Sequence, residues 1–240
     1  MTQNNSCSDQ IAEPVTLSVI VPTFMEKDSI AELIPRLESS LKTLDFEVVI
    51  VDDASIDGTA EYAEDLNRSY SNIIVVRRGG KLGLSSAVLD GFKRSRAEVL
   101  AVMDADLQHP PELLPHMYAK IKEGYDLVVA SRYVEGGRIQ GWSLGRKVLS
   151  KGATMLAHLL LPETDKVSDI MSGFFMLKRD AINKVRLNPV GFKILLEIVV
   201  KGRYNSLAEL PYTFTSRRSG KSNLSIKEVW DYLVHICRLL

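Results

Sequence analysis

Acidic residues accumulate where apolar runs end. Asp52 and Asp53 follow the run Phe46 to Val51, and Asp104, Ala105 and Asp106 follow Val99 to Met103. Carboxylates crowded at one edge repel each other unless cations or hydrogen-bond donors lie between them. Asp104 and Asp106, with the amide oxygen of Gln108, offer hard oxygen donors suited to Mg²⁺ or Mn²⁺, ions that typically bridge few protein carboxylates to substrate phosphates. The stretch Asp-Ala-Asp-Leu-Gln-His-Pro-Pro also reads as a plain turn into a helix at Pro111, but its position after a buried strand favours metal. Other chemistries fit less well. The first apolar run leads into Pro22, Thr23, Phe24 and Glu26, without G-x-G-x-x-G, and Gly79-Gly80-Lys81-Leu82 has neither P-loop spacing nor a hydroxyl after the lysine. There is no nucleophile elbow, and His109, His116, His158 and His235 are scattered, each reading as a surface or packing residue.

The elements that must position these residues alternate. Leu17 to Val21, Phe46 to Val51, Ile73 to Val76, Val99 to Met103 and Leu127 to Ala130 are short apolar runs bounded by charge or turn residues, the pattern of buried strands. Helical patterns over Ser29 to Leu44, Gly58 to Tyr70, Leu84 to Arg96 and Pro111 to Glu123 separate them, with Pro35 expected to kink or restart the first. This predicts an α/β fold with a mostly parallel central sheet flanked by helices on both faces, and ligands at the strand ends. Beyond Ser131 the pattern predicts a Gly-rich loop at Glu135 to Gly141, a helix over Ser143 to Leu161 and a strand over Gly173 to Leu177. A helix over Ile194 to Lys201 and a strand over Leu207 to Phe214, interrupted at Pro211, come next. A basic loop, Arg217 to Asn223, precedes a C-terminal amphipathic helix whose apolar face gathers Ile226, Val229, Trp230, Leu233, Val234, Cys237 and Leu240. That face is expected to pack inward; the alternative is contact with lipid or a membrane-spanning partner, shared with Trp142 and the 143–161 segment.

The 240 residues suit one large domain, expected over 17–240 after a loose polar tail at 1–16. A composition 45% apolar and 25% charged excludes disorder, collagen and coiled coil. Lys plus Arg and Asp plus Glu both number 30, so no net field recruits nucleic acid. Cys7 and Cys237 are too far apart for metal-ligand spacing and favour a reducing compartment. The first residues lack the basic-then-apolar order of a secretory signal. No run reaches the ~18 apolar residues of a spanning helix, because Lys151, His158 and Glu197 interrupt the best candidates.

Three stretches carry a resemblance. Val19 to Glu26, Val51 to Thr59 and Asp104 to Pro111 are similar, in register, to family 2 glycosyltransferases with a GT-A fold. Within that family, Lys81 to Leu84, Ser131 to Tyr133, Gly141 to Ser150 with Trp142 and Arg146, Ser172 to Phe174, and Gly191 to Glu197 resemble the dolichol-phosphate mannose synthases. The resemblance covers nearly all of the chain from Leu17 onwards. It implies that Pro22, Phe24, Glu26, Val51 and Asp53 hold the nucleoside of GDP-mannose. It sets Asp104, Ala105, Asp106 and Arg217 at the donor diphosphate, Mg²⁺ or Mn²⁺ on Asp104, Asp106 and Gln108, and Arg132 and Arg146 at the acceptor phosphate. Residues 17–131 then form the donor half, and 132–240 the acceptor and closing-loop half.

Local chemistry agrees with these roles. Asp53 is an acceptor able to read a base N–H or a ribose hydroxyl, and Phe24 offers a flat apolar surface; strand-end packing and a turn cap are the other readings of Pro22, Phe24 and Asp53. Arginine meets phosphate oxygens through paired donors. Asp57-Gly58-Thr59 reads as a helix start. The sequence departs from the family at Ser222-Asn223, where Ser-Lys is common, with Lys221 or Arg218 as possible compensating cations. The implied enzyme transfers mannose to dolichyl or polyprenyl monophosphate with inversion, Asp104, Asp106, Arg132 and Arg217 carrying the chemistry. A UDP-sugar-dependent glucosyl or N-acetylhexosaminyl transferase is the alternative, and a sugar nucleotidyltransferase or a non-catalytic sugar-nucleotide binder is more distant. The implied location is the cytoplasmic side of a membrane, reached peripherally or through anchoring segments beyond Leu240.

Overall fold

The computed structural model describes residues 15–215 and 226–240. Its elements run β1 (Leu17–Thr23), α1 (Lys27–Leu41), β2 (Phe46–Asp52), α2 (Thr59–Tyr70), β3 (Ile73–Arg77), α3 (Leu84–Arg94), β4 (Val99–Val102), α4 (Leu114–Lys122) and β5 (Leu127–Ser131). Then come β6 (Arg138–Ile139), α5 (Leu144–Leu160), β7 (Phe175–Lys178), α6 (Ile194–Lys201), β8 (Leu207–Pro211), β9 (Thr213–Phe214) and α7 (Ile226–Leu239). Seven strands form one sheet in the order β3-β2-β1-β4-β7-β5-β8, with only β7 antiparallel to its neighbours. β6 and β9 pair separately.

The core follows from period-two alternation along fully buried strands. On β1 and β2, Val19, Val21, Val48 and Ile50 face one layer, with α1 and α4; Ile20, Val49 and Val51 face the other, with α3, α6 and α7. Close approach on the second face requires glycine at position 91 of α3, where a Cβ would lie 2.4 Å from Ile20 Cγ2.

Three expectations are corrected. α1 runs unbroken through Pro35, which is exposed, so the Ala31 carbonyl it deprives of a partner faces water. Ile30, Leu33, Ile34, Leu37 and Leu41 hold the helix against the core. α7 buries Tyr232, His235 and Ile236, while Val229, Trp230, Leu233 and Leu240 of the predicted inward face are exposed. The Leu207 to Phe214 strand divides at Tyr212 into β8, at the sheet edge, and β9.

Candidate active site

The chain steps outward from β1 to β3 and returns to β4 on the other side of β1, so the sheet has a topological switch point between β1 and β4. Ligands of open α/β sheets bind there, outside the carboxyl ends of the strands. A cleft of about 700 Å³ opens at this place. Pro22, Phe24, Glu26, Asp53, Asp104, Ala105, Asp106, Gln108, Arg132 and Arg146 all line it. Of the described residues expected in the site, only Val51 does not: its side chain is fully buried against α3, because strand alternation turns it to that face. Arg217 lies outside the described residues.

Asp53 and Asp52 divide the work at the end of β2. Asp52 closes a turn, accepting from the Ser55 main chain at 2.8 Å and the Ser55 hydroxyl at 2.6 Å. Asp53 accepts from Arg78 and from the Gly83 N–H at 2.9 Å. Phe24 presents its ring to the cleft with the Lys81 ammonium 3.6 Å from the ring centroid. Glu26 caps the loop: its main-chain N–H donates to Thr59 Oγ1 at 3.1 Å and its carboxylate accepts from Ser29 at 2.6 Å. Asp57 accepts from the Thr59 N–H and the Lys27 N–H, the helix-start role predicted for it.

The acidic turn after β4 is pinned from within. The Asp104 N–H donates to His109 Nδ1 at 2.9 Å, the Gln108 N–H donates to Asp106 Oδ1 at 3.1 Å, and Leu107 takes a left-handed φ of 63°. His109 is buried, stacked on Phe174 at 5.1 Å and edge-on to Tyr212 and Phe214. Gly173 has no room for a side chain that would leave the turn undisturbed, since a Cβ would come within 3.4 Å of Asp104 Oδ2 and 3.3 Å of His109. The Gln108 amide nitrogen donates to the Thr215 carbonyl at 2.5 Å, which leaves the amide oxygen as its acceptor. The donor set of two carboxylates and one amide oxygen fits a hard divalent cation. Among the described residues no three His, Cys, Asp or Glu side chains form a metal cage, so such an ion would need further oxygens from a ligand.

Cations gather beside these carboxylates. Arg132, following β5, is buried and gives Asp169 a fork of two hydrogen bonds, Nε at 2.7 Å and Nη2 at 2.6 Å, with its main-chain N–H adding a third at 2.9 Å. Burial pulls the guanidinium pKa down, but Asp169 outweighs it and the net shift is upward. Three of its five N–H donors are not used by Asp169. The Trp142 ring lies 5.3 Å from the Arg132 guanidinium and 4.2 Å from that of Arg146, so one indole carries both cations. Lys193, at the start of α6, donates to the Met171 carbonyl at 2.8 Å. Burial, then the charge of Arg132, pushes its pKa down to about 7.

Residues 18–186 match Glycosyl transferase family 2. The chain belongs to this family. It is 46% identical over 224 residues to a dolichol-phosphate mannosyltransferase of Pyrococcus furiosus, covering 93% of this chain and 63% of that protein's length. It is 37% identical over 240 residues to a dolichol-phosphate mannosyltransferase of Saccharomyces cerevisiae, covering 94% and 87%. Among solved structures, mannosyl-3-phosphoglycerate synthase from Rubrobacter xylanophilus superposes with a TM-score of 0.68 at 18% identity, over 93% of this chain and 73% of that one. Glucosyl-3-phosphoglycerate synthase from Mycobacterium tuberculosis, in complex with Mn²⁺, UDP-glucose and phosphoglyceric acid, gives 0.64 at 18% identity, over 93% and 80%. At that identity the likeness is one of fold, the GT-A arrangement of this glycosyltransferase family.

Sequence reasoning missed parts of this candidate site. Asp169 lies 37 residues from Arg132, and its one signal is its position three residues before the Ser172-Gly173-Phe174 motif. His109 is a packing residue, as read, yet it also fixes Asp104, and only its place inside the acidic motif hinted at that.

Proposed function

We propose that this chain is an inverting glycosyltransferase that moves mannose from GDP-mannose to a dolichyl or other polyprenyl monophosphate, giving a β-linked lipid-phosphate sugar. The relatives named dolichol-phosphate mannosyltransferase, at 37% to 46% identity, support mannose as the sugar and a dolichyl phosphate as the acceptor. The observation that carries the reading is Arg132 and Arg146 on one indole, in the same cleft as Asp104 and Asp106. Two like charges held close together favour an anionic ligand, and arginine suits phosphate.

In this reading residues 17–131 bind the donor and 132–240 the acceptor. Pro22, Phe24, Glu26 and Asp53 receive the nucleoside. Asp104, Asp106 and Gln108 would hold Mg²⁺ or Mn²⁺, which when bound neutralises charge developing on the leaving diphosphate. Arg217 is assigned to the same diphosphate. Arg132, fixed by Asp169, and Arg146 orient the acceptor phosphate. One of its ionised oxygens bonds to the anomeric carbon as the bond from that carbon to the diphosphate breaks, and GDP leaves with the electron pair. The nucleophile is already ionised, so no strong general base is needed. A single displacement converts an α-linked donor into a β-linked product.

The test is a set of variants assayed for transfer and for GDP binding. Asp104→Ala and Asp106→Ala should each lower metal-dependent transfer by about 100-fold or more with the fold retained, and chelator should abolish wild-type turnover. Arg132→Lys and Arg146→Lys should raise the acceptor KM and leave GDP affinity in place. Turnover persisting in chelator would contradict the metal assignment, and an equal loss of GDP affinity in both arginine variants would contradict the acceptor assignment.

A further inference from the structure

Two consecutive arginines close β3 and have opposite fates. Arg77 faces α2, bonded to Glu61 and Glu64 on an exposed surface, where ion pairs contribute little. Arg78 turns to the other side and is buried, its side chain only 5% exposed. Its guanidinium donates through Nη1 to Asp53 and, at 3.2 Å, to the Gly83 carbonyl. Nη2 donates to Ser86 at 2.8 Å and Nε to Asp90 at 3.1 Å. Its main-chain N–H donates to the Asp52 carbonyl at 3.0 Å.

One side chain thus joins three elements, the end of β2, the end of β3 and the first turns of α3. Asp53 is gripped on both oxygens, Oδ1 by Arg78 and Oδ2 by the Gly83 N–H. The carboxylate therefore has a fixed plane in the cleft, with one lone pair per oxygen left to accept a further hydrogen bond. The segment 79–82 is tied at both ends by the same cluster, and it carries Lys81 over the Phe24 ring. Removing either partner of this buried pair would strand the other charge, so the four contacts of the guanidinium hold Asp53 and the loop to one geometry.

We propose that Arg78 is a positioning residue for the nucleoside of the donor: it holds Asp53 in the orientation that accepts a base N–H or ribose hydroxyl, and it fixes the 79–82 segment beside Phe24. The proposal rests on the reading that Asp53 and Phe24 form the nucleoside subsite. Lysine at position 78 keeps the charge but cannot make the forked contacts to Asp53, Gly83, Ser86 and Asp90 together.

The experiment is a double-mutant cycle on the whole chain, with GDP affinity measured by titration calorimetry in Mg²⁺ and with steady-state kinetics on GDP-mannose. Arg78→Lys should weaken GDP binding and raise the donor KM by about tenfold, with kcat at saturating donor and the acceptor KM within about twofold. Asp53→Asn should weaken GDP binding similarly, and the double variant should be no worse than the weaker single, since the two residues act as one unit. Additive losses, or unchanged GDP affinity in Arg78→Lys while Asp53→Asn loses it, would overturn the role of Arg78 alone. Unchanged affinity in Asp53→Asn would overturn the nucleoside reading on which it rests. If Arg78→Lys does not fold, Asp90→Asn, which loosens the Nε contact and otherwise only an exposed pair with Lys93, is read the same way: a loss of about threefold supports the proposal and no loss overturns it.

Discussion

Lys193 stands at the meeting of opposed charges. Burial and Arg132 disfavour its ammonium, while Asp169, Asp104 and Glu228 favour it, and the balance brings its pKa to about 7. A lysine whose pKa is lower in the folded state binds fewer protons there than in the unfolded chain. Stability should therefore rise with pH from about 7 towards the ordinary lysine value of 10.5. Comparing the NMR titration of the lysine Nζ signals in wild type and Lys193→Met should reveal one group with a midpoint near 7, moving upward when GDP or a phosphate anion binds. A midpoint near 10 in the ligand-free protein would contradict the crowding of cations described here. At this scale the sequence was legible where side chains sit next to strand ends: Pro22, Phe24, Asp53, Asp104 and Asp106 all reach the cleft. Asp169 and Arg78 were not legible. Their work depends on partners brought up from other elements, and neither charge pattern nor spacing along the chain encodes those pairings.

Helix α6 and helix α7 are joined through a buried carboxylate. Glu197, fully buried in α6, accepts from Lys201 Nζ at 2.6 Å and the Asn188 N–H at 2.9 Å, and His235 of α7 lies 3.6 Å away. Burial alone would push the Glu197 pKa up; His235, Lys201 and Asn188 together outweigh it and hold it below the usual carboxylate range. A depressed folded pKa gives stability that is present above the ordinary carboxylate value and lost as pH falls through the folded one. Urea unfolding followed across the acid range should show that loss in wild type and a shallower dependence in Glu197→Gln. Identical slopes in the two proteins would contradict the linkage. The element boundaries were mostly legible because apolar periodicity and turn residues mark them, and the strand pattern alone implied the sheet. What failed was the facing of α7. Its apolar stripe is real, but Tyr232, His235 and Ile236 fill the space beside α5 and α6, with the Tyr232 hydroxyl donating to the Ala153 carbonyl at 2.5 Å. Periodicity identifies an amphipathic helix without saying which face a neighbour can take.

The whole molecule accordingly presents apolar surface beside its cleft. Leu144, Val148, Met155 and Leu159 of α5 are each more than 60% exposed, as is Trp230 of α7. Leu149 of α5 and Val229 of α7 are both exposed and line the cleft. Trp142, a candidate for lipid contact, is half-buried against Phe214 and the two arginines and lines the cleft. No helix among the described residues is long and apolar enough to cross a membrane; under the proposed function, the exposed apolar faces of α5 and α7 are where a bilayer surface would be met. The measurement that tests the account most directly is product mass after incubating the purified chain with Mg²⁺ and vesicles containing dolichyl or undecaprenyl phosphate, with GDP-mannose, UDP-glucose or UDP-N-acetylglucosamine as donor. The account predicts a hexosyl lipid phosphate with β linkage and one GDP released per product, from GDP-mannose alone. A product formed only from a UDP-sugar, release of pyrophosphate in place of GDP, or no lipid-linked sugar from any donor would contradict it.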